Sequence, residues 1–371
     1  MRLNHRALFV ACVLSGLMLS AAGCRAGRRV TPGADPMLSV RTLIDAPEDF
    51  ARRRVGSDDY SIPPYAKFLK GVRICLNPGH GGDAHKRGFK RGPTGVREAE
   101  INLRVAKYLR EFLVVAGAEV LLTREDDIEL SYEERAAIAA DWNADLFLSL
   151  HHNAIDNKPQ ANYTTVWYHG DVDYRPSNLD LARYLCEGLL DGLRVPTITD
   201  VPLKSDLLMY EQGFAVLRHA KMTAALTESS FYTNPAEEQR LRDPAYNLRE
   251  AYALFLALAK YALAGLPRAA LVEPADAVIR GGATRLVFEL DDGLRSRKAW
   301  GHERTMILRD SIAVRIDGER VAHRFDDDGE RYTLVVNVPA GLAVGEHAVE
   351  VQFQNLNKNS VLNPHFEFLV E

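Results

Sequence analysis

Four residues that can bind a metal ion or move a proton stand at the ends of apolar runs or at the start of a helical pattern. His80 lies in a glycine-rich loop after one apolar run, and His151 follows a second run. Glu228 ends a third run, and Glu98 begins a long helical pattern. Two imidazoles and two carboxylates at one edge of a sheet would supply a catalytic zinc site, in which three side chains hold the ion and one acts as general base.

Each of these residues also has a simpler structural interpretation. A histidine at a strand end is more often only a hydrogen-bonded polar residue. Glu98, like Glu100, could be a first-turn acid that interacts with the helix dipole, and Glu228 could pair with an arginine. The joint placement of the residues favours the metal site, and so does a glycine-rich loop that lets the backbone approach closely around His80.

The elements that must position these residues alternate between strand and helix patterns over residues 65–267. The predicted strands are 72–76, 118–123, 146–150, 163–169 (a candidate edge strand) and 223–227. The predicted helices are 98–116, 131–140, 179–193, 251–266 and one that Asn234-Pro235 opens. This alternation predicts an α/β domain with an open, mostly parallel twisted sheet and helices on both faces. Ligands bind at the carboxyl ends of strands in such sheets, where the four residues lie.

The pattern changes after Pro267. Apolar and polar residues alternate in 286–290 and 349–353, as in half-buried strands, and Asp317-Gly318 is a hairpin turn signal. Short strands at regular intervals predict an all-β, immunoglobulin-like sandwich over residues 273–371.

The N-terminal 24 residues have the pattern of a secretory signal peptide. Arg2 and Arg6 precede an apolar run, 7–19, and small residues then lead to Cys24. The ending Ala-Ala-Gly-Cys resembles a bacterial lipobox, which implies an exported lipoprotein with a membrane-anchoring lipid on Cys24. Arg25, rather than aspartate, after that cysteine implies the outer membrane and a periplasmic location. A plainly cleaved, secreted protein is the alternative.

Composition limits the function classes. The chain has 371 residues, 47% of them hydrophobic, and a net charge of −4, so it lacks the basic excess that nucleic-acid binding would favour. Residues 25–64 are polar and interrupted by proline and glycine, which predicts a flexible linker. Cys75 and Cys186 lie in apolar or helical patterns and are predicted to be buried free thiols.

Five motifs lie between residues 72 and 263: Asn77-Pro-Gly-His80-Gly-Gly82, Glu98-Ala-Glu-Ile-Asn102-Leu103, Leu122-Thr-Arg124, Ser149-Leu-His-His-Asn-Ala154 and Leu226-Thr-Glu-Ser-Ser-Phe-Tyr-Thr-Asn234. Together they resemble the motifs of the zinc-dependent N-acetylmuramoyl-L-alanine amidases, which cleave bacterial peptidoglycan. The resemblance implies that His80, Glu98 and His151 hold one zinc ion and that Glu228 is the catalytic carboxylate. It also implies the bond that is cut, the amide between the lactyl group of N-acetylmuramic acid and the L-alanine of the stem peptide.

Two residues depart from the family pattern. Asn77 stands where aspartate is usual; if that residue orients the ring of His80, an asparagine oxygen can still accept a hydrogen bond. Ser230 stands where glycine is usual. Neither departure removes a ligand or the base, so we expect an active enzyme. His152, beside His151, occupies a variable position and is interpreted as a residue of the rim.

Other function classes stay open. The main alternative is a catalytically silent peptidoglycan-binding lipoprotein that recruits or regulates hydrolases, and a second is a zinc hydrolase that acts on another exported amide. The β-rich region carries no recognisable chemistry and is expected to position the enzyme on the wall or to bind a protein partner.

Overall fold

The structure is a computed structural model that describes residues 60–171, 174–195, 199, 201–280, 285–295 and 306–371. The signal peptide predicted for residues 1–24, its Cys24, and the linker as far as residue 59 lie outside the described residues. No helix within the described ranges is long and apolar enough to cross a membrane.

A central six-stranded sheet forms the first part of the described chain. Its strands are β1 (Arg73–Pro78), β2 (Glu119–Leu122), β3 (Leu146–Asn153), β4 (Thr165–Tyr168), β5 (Leu203–Ser205) and β6 (Thr223–Phe231). They lie in the order β2-β1-β3-β6-β4-β5. β4 runs antiparallel to β6 and parallel to β5, while the other four strands are mutually parallel. The predicted edge position of strand 163–169 is wrong, because the three-residue β5, too short to give a sequence pattern, pairs with its outer side.

Helices cover both faces of this sheet. Those in the described residues are α1 (Glu98–Val115), α2 (Tyr132–Asp141), α3 (Ser177–Leu193), α4 (Ala215–Arg218), α5 (Pro235–Arg242) and α6 (Pro244–Leu263). Successive side chains of a strand point to opposite faces. Ile74 and Leu76 of β1 accordingly lie in the hydrophobic cluster formed with α1, α3 and α6, whereas Cys75 lies in the cluster formed with α2 and α4. Burial on both faces explains the continuous apolar runs and confirms the α/β prediction.

Two helices begin with side-chain capping contacts. The Ser131 hydroxyl accepts a hydrogen bond from the backbone N–H of Glu134 at 3.1 Å, and the Glu134 carboxylate accepts one from the backbone N–H of Ser131 at 2.7 Å. These two hydrogen bonds form a capping box. The Asn234 side chain accepts from two backbone N–H groups of the first turn of α5, at 3.1 and 3.0 Å, with Pro235 as the first helical residue.

Both cysteines of the described residues are buried and free, as predicted. Burial raises the pKa of Cys75 to about 12 and, together with the charge of Glu187, that of Cys186 to about 11. Both side chains are therefore neutral thiols near pH 7 and pack as small hydrophobic groups.

The remaining described residues form two further sheets. Their strands are β7 (Arg268–Glu273), β8 (Val278–Ile279), β9 (Arg285–Asp291), β10 (Ala313–Ile316), β11 (Glu319–Arg320), β12 (His323–Asp327), β13 (Tyr332–Asn337), β14 (Gly345–Gln352) and β15 (His365–Val370). The orders are β11-β10-β14-β15-β8 and β12-β13-β9-β7, and every pairing is antiparallel except that of β8 with β15. Side chains from both sheets share one hydrophobic cluster. The predicted β-rich region is confirmed, and Asp317-Gly318 forms its predicted turn between β10 and β11, with φ of 50° and 86°.

The β-rich region contacts the amino-terminal edge of the central sheet. Arg268 pairs at 2.7 Å with Asp145, which directly precedes β3. Thr223, the first residue of β6, donates a hydrogen bond to the carbonyl of Leu362 at 3.3 Å. The carboxyl-terminal edge of the sheet therefore lies on the side away from these contacts.

Candidate metal centre

His80, Glu98 and His151 meet at the carboxyl-terminal edge of the central sheet. His151 lies near the end of β3, His80 follows β1 by two residues, and Glu98 is the first residue of α1. β1 and β3 are adjacent and parallel, so their carboxyl ends lie side by side. The three residues predicted to hold the metal are thus brought together from separate chain segments.

One carboxylate oxygen of Glu98 lies between the two imidazoles. Its Oε1 is 3.1 Å from Nε2 of His80 and 3.1 Å from Nδ1 of His151. The two rings are 4.8 Å apart between centroids and nearly perpendicular, at 89°. In a tetrahedral zinc site with bonds of about 2.0–2.2 Å, neighbouring ligand atoms lie about 3.3 Å apart. The spacing of the three groups therefore fits a single ion.

The charges and the burial of these groups also fit a cation. The second oxygen of Glu98, Oε2, is buried and accepts no hydrogen bond from the described residues; the ammonium of Lys90 lies 3.9 Å away. Burial alone would raise the pKa of Glu98, but His80 and His151 outweigh it and hold that pKa well below the ordinary value. Burial lowers the pKa of His151 to about 4, which keeps its ring in the neutral form that binds metals.

The backbone before the first ligand packs directly on the second. A Cβ atom added to Gly79 would lie 2.1 Å from Cε1 of His151, so only glycine leaves room for that ring. His80 itself has a left-handed backbone with φ of 59°. A non-glycine residue in that region is strained, and such strain is retained where surrounding contacts fix it.

Two buried arginines provide those contacts. Arg124 donates through Nε to the carbonyl of Pro78 and through an Nη to that of Gly79, each at 2.9 Å. Arg135 donates to the carbonyls of Pro78 and His80, each at 2.9 Å. Burial, and then the charge of Arg135, lowers the pKa of Arg124 to about 9. The sequence motif contained Arg124 without a role, and Arg135 was missed, although it shares the buried face of α2 with small alanines.

Asn77 supports the same loop and does not orient the ring of His80. Its Oδ1 accepts hydrogen bonds from Thr123 and Arg135, each at 2.8 Å, and its Nδ2 donates to the hydroxyl of Ser149 at 2.8 Å. The hypothesis that this residue orients the first ligand's ring is therefore wrong. With asparagine here, Arg135 has no carboxylate partner among the described residues.

His152 is not a rim residue. It is only 2% exposed, and its Nδ1 is 2.8 Å from Oδ1 of Asn102, while its Nε2 is 3.0 Å from Oε2 of Glu250. Neighbouring residues of a strand face opposite sides, so His152 enters the face covered by α1 and α6 when His151 faces the cleft. Burial opposes a charged ring, but Glu250 outweighs it and raises the pKa of His152.

Glu228 lies beside the three ligand candidates. It is the register partner of His151 across β3 and β6, and its Oε2 is buried without a hydrogen-bond partner among the described residues. Burial, and then the charge of Glu98, raises the pKa of Glu228 well above the ordinary value. No arginine pairs with it in the described part of the chain. Ser230, the departure from glycine, continues the same strand with its side chain buried.

Glu100 has a structural role in a cluster of ion pairs around Arg97. Its Oε1 pairs at 2.8 Å with Arg97, whose guanidinium also contacts Asp127 at 2.9 Å and Asp83. All three acids contact the guanidinium of Arg97, the residue that directly precedes α1. This cluster therefore fixes the end of the helix from which Glu98 projects.

The candidate ligands open into a cleft with two lobes, both of which His80, His151 and Tyr132 line. The first lobe has a volume of about 330 Å³ and is also lined by Gly81, Lys86, Phe89, Glu129 and Glu133. The second lobe has a volume of about 590 Å³ and is also lined by Lys90, Tyr210, Glu211, Phe214, Arg218 and Glu228.

An α/β sheet whose carboxyl edge brings together two histidines, a glutamate and a second, buried glutamate has the side chains of a metallohydrolase. The sequence profile described as N-acetylmuramoyl-L-alanine amidase matches residues 74–260, half of the chain. The chain belongs to this amidase family.

Several individual proteins are similar to this chain. The chain is 32% identical over 185 residues to the N-acetylmuramoyl-L-alanine amidase LytC of Bacillus subtilis, a match of 50% of this chain and 34% of LytC. It is 30% identical over 175 residues to the probable cell wall amidase LytH of Staphylococcus aureus, a match of 47% of this chain and 53% of LytH. The chain thus spans between a third and about half of these relatives. The solved amidase AmiC2 of Nostoc punctiforme is 28% identical, with 52% of this chain and 98% of that chain covered and a TM-score of 0.45.

Proposed function

We propose that this protein hydrolyses the amide between the lactyl group of N-acetylmuramic acid and the L-alanine of the stem peptide, with one zinc ion held by His80, Glu98 and His151. The observation that carries the proposal is the approach of both imidazoles to one oxygen of Glu98, each at 3.1 Å. Membership of the amidase family supports the choice of bond. Such a reaction serves cell-wall remodelling, daughter-cell separation or recycling.

A bound zinc ion would supply Lewis acidity to the carbonyl that is attacked. Glu228 would take a proton from the attacking water as the water oxygen bonds to the carbonyl carbon, and would return that proton to the nitrogen as the C–N bond breaks. The nitrogen then leaves as a neutral amine rather than as an amide anion. Burial, and then the charge of Glu98, raises the pKa of Glu228, which favours the protonated carboxyl that forms when the proton leaves the water and lasts until it is given to the nitrogen. The products are a glycan strand with a lactyl carboxylate and a stem peptide with a free L-alanine amine.

Product analysis on purified sacculi tests this function. The zinc-loaded protein should release peptides that begin with L-alanine, a chelator should stop the release, and added zinc should restore it. Glu228→Gln should lower the rate by about 10²–10⁴-fold with unchanged zinc content, since it keeps the shape but cannot carry the proton. His80→Ala should lose the metal. Near-normal cleavage by zinc-loaded Glu228→Gln would refute the base, and sacculus binding without cleavage by the zinc-loaded wild type would favour a silent binding protein.

The location of the protein is a separate part of the proposal. We propose export to the periplasm and anchoring to the outer membrane by a lipid on Cys24, on the strength of the lipobox-like sequence. Growth with labelled palmitate should label the wild-type protein and not a Cys24→Ser variant, which should move from the membrane to the soluble fraction. Equal membrane retention of the two proteins would contradict lipid anchoring.

The domain division is also proposed. A linker over residues 25–64 would precede a catalytic domain at 65–267, and residues 273–371 would form an immunoglobulin-like accessory domain that positions the enzyme on the wall or binds a protein partner. The two antiparallel sheets with a common hydrophobic cluster support the sandwich. Alanine substitutions at exposed His323 and Arg324 of β12, made in the inactive Glu228→Gln protein, should weaken sacculus binding if this face contacts the wall.

A further inference from the structure

The two lobes of the cleft differ in their access to the catalytic carboxyl. His80 and His151 line both lobes, so a substrate that reaches the metal centre can extend into each of them. Glu228 lines the second lobe and is absent from the lining of the first. The proton donor therefore stands on one side of the point where the scissile bond must lie.

We propose that the stem peptide lies in the second lobe, that the glycan lies in the first lobe, and that Arg218 binds a carboxylate of the stem peptide. This inference rests on the proposed function. The scissile amide has two unequal sides, an acyl carbon that leads to the sugar and a nitrogen that leads to the peptide. Only the nitrogen receives a proton when the bond breaks, so the nitrogen and the peptide attached to it must face Glu228.

The charges in the second lobe fit an acidic peptide. Arg218 ends α4, and its guanidinium donates to the backbone carbonyl of Gln212 at 2.8 Å. It has no carboxylate partner among the described residues. Lys90, in the same lobe, lies 3.9 Å from Oε2 of Glu98 and is already opposed by that charge. Glu211 and Glu228 are the acids in the lining of this lobe, and a bound carboxylate must avoid both.

Several charged side chains that line the first lobe already have partners. Lys86 lies 3.9 Å from the carboxylate of Glu129, and Glu133 is 3.1 Å from Nε2 of His219. Arg135 donates to backbone carbonyls and to Asn77. Since these charges have partners, the first lobe suits an uncharged sugar better than an acidic peptide.

The apolar side chains agree with this assignment. In the first lobe Phe89 is 45% exposed, and an exposed aromatic ring can pack against the apolar face of a sugar.

The second residue of the stem peptide is a glutamate whose carboxyl group is free in some walls and amidated in others. An extended chain advances about 3.5 Å per residue, so that group lies about 7 Å from the scissile bond. It is the stem-peptide charge nearest to the scissile bond, and it is the carboxylate that we assign to Arg218.

Two synthetic muramyl peptides that differ only at this carboxyl group, one with the free acid and one with the carboxamide, test the role of Arg218. For the full-length, zinc-loaded protein, Arg218→Ala should raise KM for the acid about tenfold, equivalent to about 1.4 kcal/mol, and change KM for the amide less than about twofold. kcat should change little, because Arg218 does not touch the reacting atoms. An equal loss on both substrates, or no loss on either, would overturn the assignment. Absence of cleavage of both substrates by the wild type would instead overturn the proposed function.

Binding measurements and a variant in the other lobe test the orientation. In the inactive Glu228→Gln protein, adding Arg218→Ala should weaken calorimetric binding of the acid substrate about tenfold and leave binding of the carboxamide unchanged. Phe89→Ala should weaken the binding of substrates that carry the sugar more than the binding of a lactyl-peptide without it. This difference should be the same for the acid and the amide. The exposed Arg285→Ala, in the β-rich region, is the matched control and should change the binding of neither substrate. Loss of carboxylate discrimination in Phe89→Ala rather than in Arg218→Ala would reverse the lobes.

Discussion

A guanidinium N–H of Arg135 donates a hydrogen bond to the backbone carbonyl of His80 at 2.9 Å. This contact joins α2, on one face of the sheet, to the residue whose ring approaches Glu98 from the cleft. It also holds the left-handed backbone of His80, with φ of 59°. The first candidate ligand is thus positioned by a helix that supplies no ligand itself.

Removal of this contact should weaken metal binding. In Arg135→Ala the carbonyls of Pro78 and His80 lose a charged donor. The free energy of unfolding of the metal-free protein should therefore fall by about 3 kcal/mol. Zinc affinity should fall at least tenfold, because the loop can relax away from the ligand geometry. Competition with a chelating dye measures the affinity, and urea unfolding measures the stability.

Arg135→Lys is the matched control. Lysine keeps the charge but lacks the planar set of donors that reaches several acceptors at once, so its zinc affinity should lie between the wild type and alanine. An Arg135→Ala protein that is destabilised but binds zinc with wild-type affinity would show that the contact supports only the fold.

The van der Waals contact between Gly79 and His151 gives a second prediction. A Cβ at residue 79 would lie 2.1 Å from Cε1 of the His151 ring, and the backbone of Gly79 is not left-handed. Gly79→Ala should therefore displace the ring, lower zinc affinity by at least about 100-fold, and reduce turnover in proportion. The measurement is zinc affinity by chelator competition together with sacculus digestion.

Gly88→Ala controls for glycine replacement in the same loop. Gly88 has a left-handed φ of 75° and nothing within 4 Å of an added Cβ, so the change strains only the backbone. It should cost about 1 kcal/mol of stability and leave zinc affinity unchanged. If both variants lose the metal equally, general loosening of the loop explains the loss better than the clash with His151.

The candidate ligands were predictable because local apolar patterns mark where the strands end. Apolar runs set β1, β3 and β6, and parallel pairing brings the residues after them to one edge. Contacts that depend on which face a side chain enters were not predictable in the same way. Both faces of this sheet are buried, so alternation along β3 does not distinguish an exposed position from a core position, and His152 was placed on the rim although it lies inside.

The roles of Asn77 and Arg135 needed tertiary information for another reason. The hydrogen bond between them crosses 58 residues of chain, and no periodic pattern encodes such a pair. The short β5 was missed because three residues give no alternation to detect. Family resemblance located the loop around His80, but only coordinates show which side chains hold that loop in place.

The buried contacts of His152 give a third prediction. His152→Ala would leave Glu250 as a buried charge without its partner and would deprive Asn102 of a hydrogen bond. Unfolding free energy should fall by about 3 kcal/mol, while zinc affinity and KM stay close to wild type. Urea unfolding and steady-state kinetics measure the two effects. A changed KM with unchanged stability would restore the rim interpretation.

Two acids in the first turn of α1 provide a matched pair of variants that tests metal binding. Glu98 faces the two imidazoles, whereas Glu100, two residues later, pairs with Arg97. A metal that binds only the folded state stabilises it by about 2.7 kcal/mol when its free concentration is 100 times Kd. Zinc should therefore raise the melting temperature of the wild type and of Glu100→Gln, and should fail to do so for Glu98→Gln. A zinc-dependent rise in Glu98→Gln would exclude this carboxylate as a ligand.

The β-rich region carries a pH-dependent contact at the end of β10. Nδ1 of His347 lies 2.6 Å from Oδ2 of Asp317, and its other nitrogen, Nε2, lies 2.8 Å from the carbonyl of Ala343. The hydrogen bond to Ala343, and then the one to Asp317, raises the pKa of His347 above 6.5, while the same pair lowers the pKa of Asp317 below 3.8.

The sign of the pH effect follows from these two shifts. A raised histidine pKa contributes stability that is complete below 6.5 and is lost as the pH rises through the folded value; the lowered aspartate pKa contributes stability that is present above 3.8 and is lost at lower pH. His347→Gln should therefore reduce the free energy of unfolding at about pH 5.5 and have little effect at about pH 9. Because the side chain of Asp317 is 45% exposed, high salt should shrink the difference. Urea unfolding at both pH values measures the effect on the free energy of unfolding, with Asp317→Asn as the counterpart variant. A larger effect of His347→Gln at the higher pH would show that the neutral ring, not the ion pair, stabilises the turn.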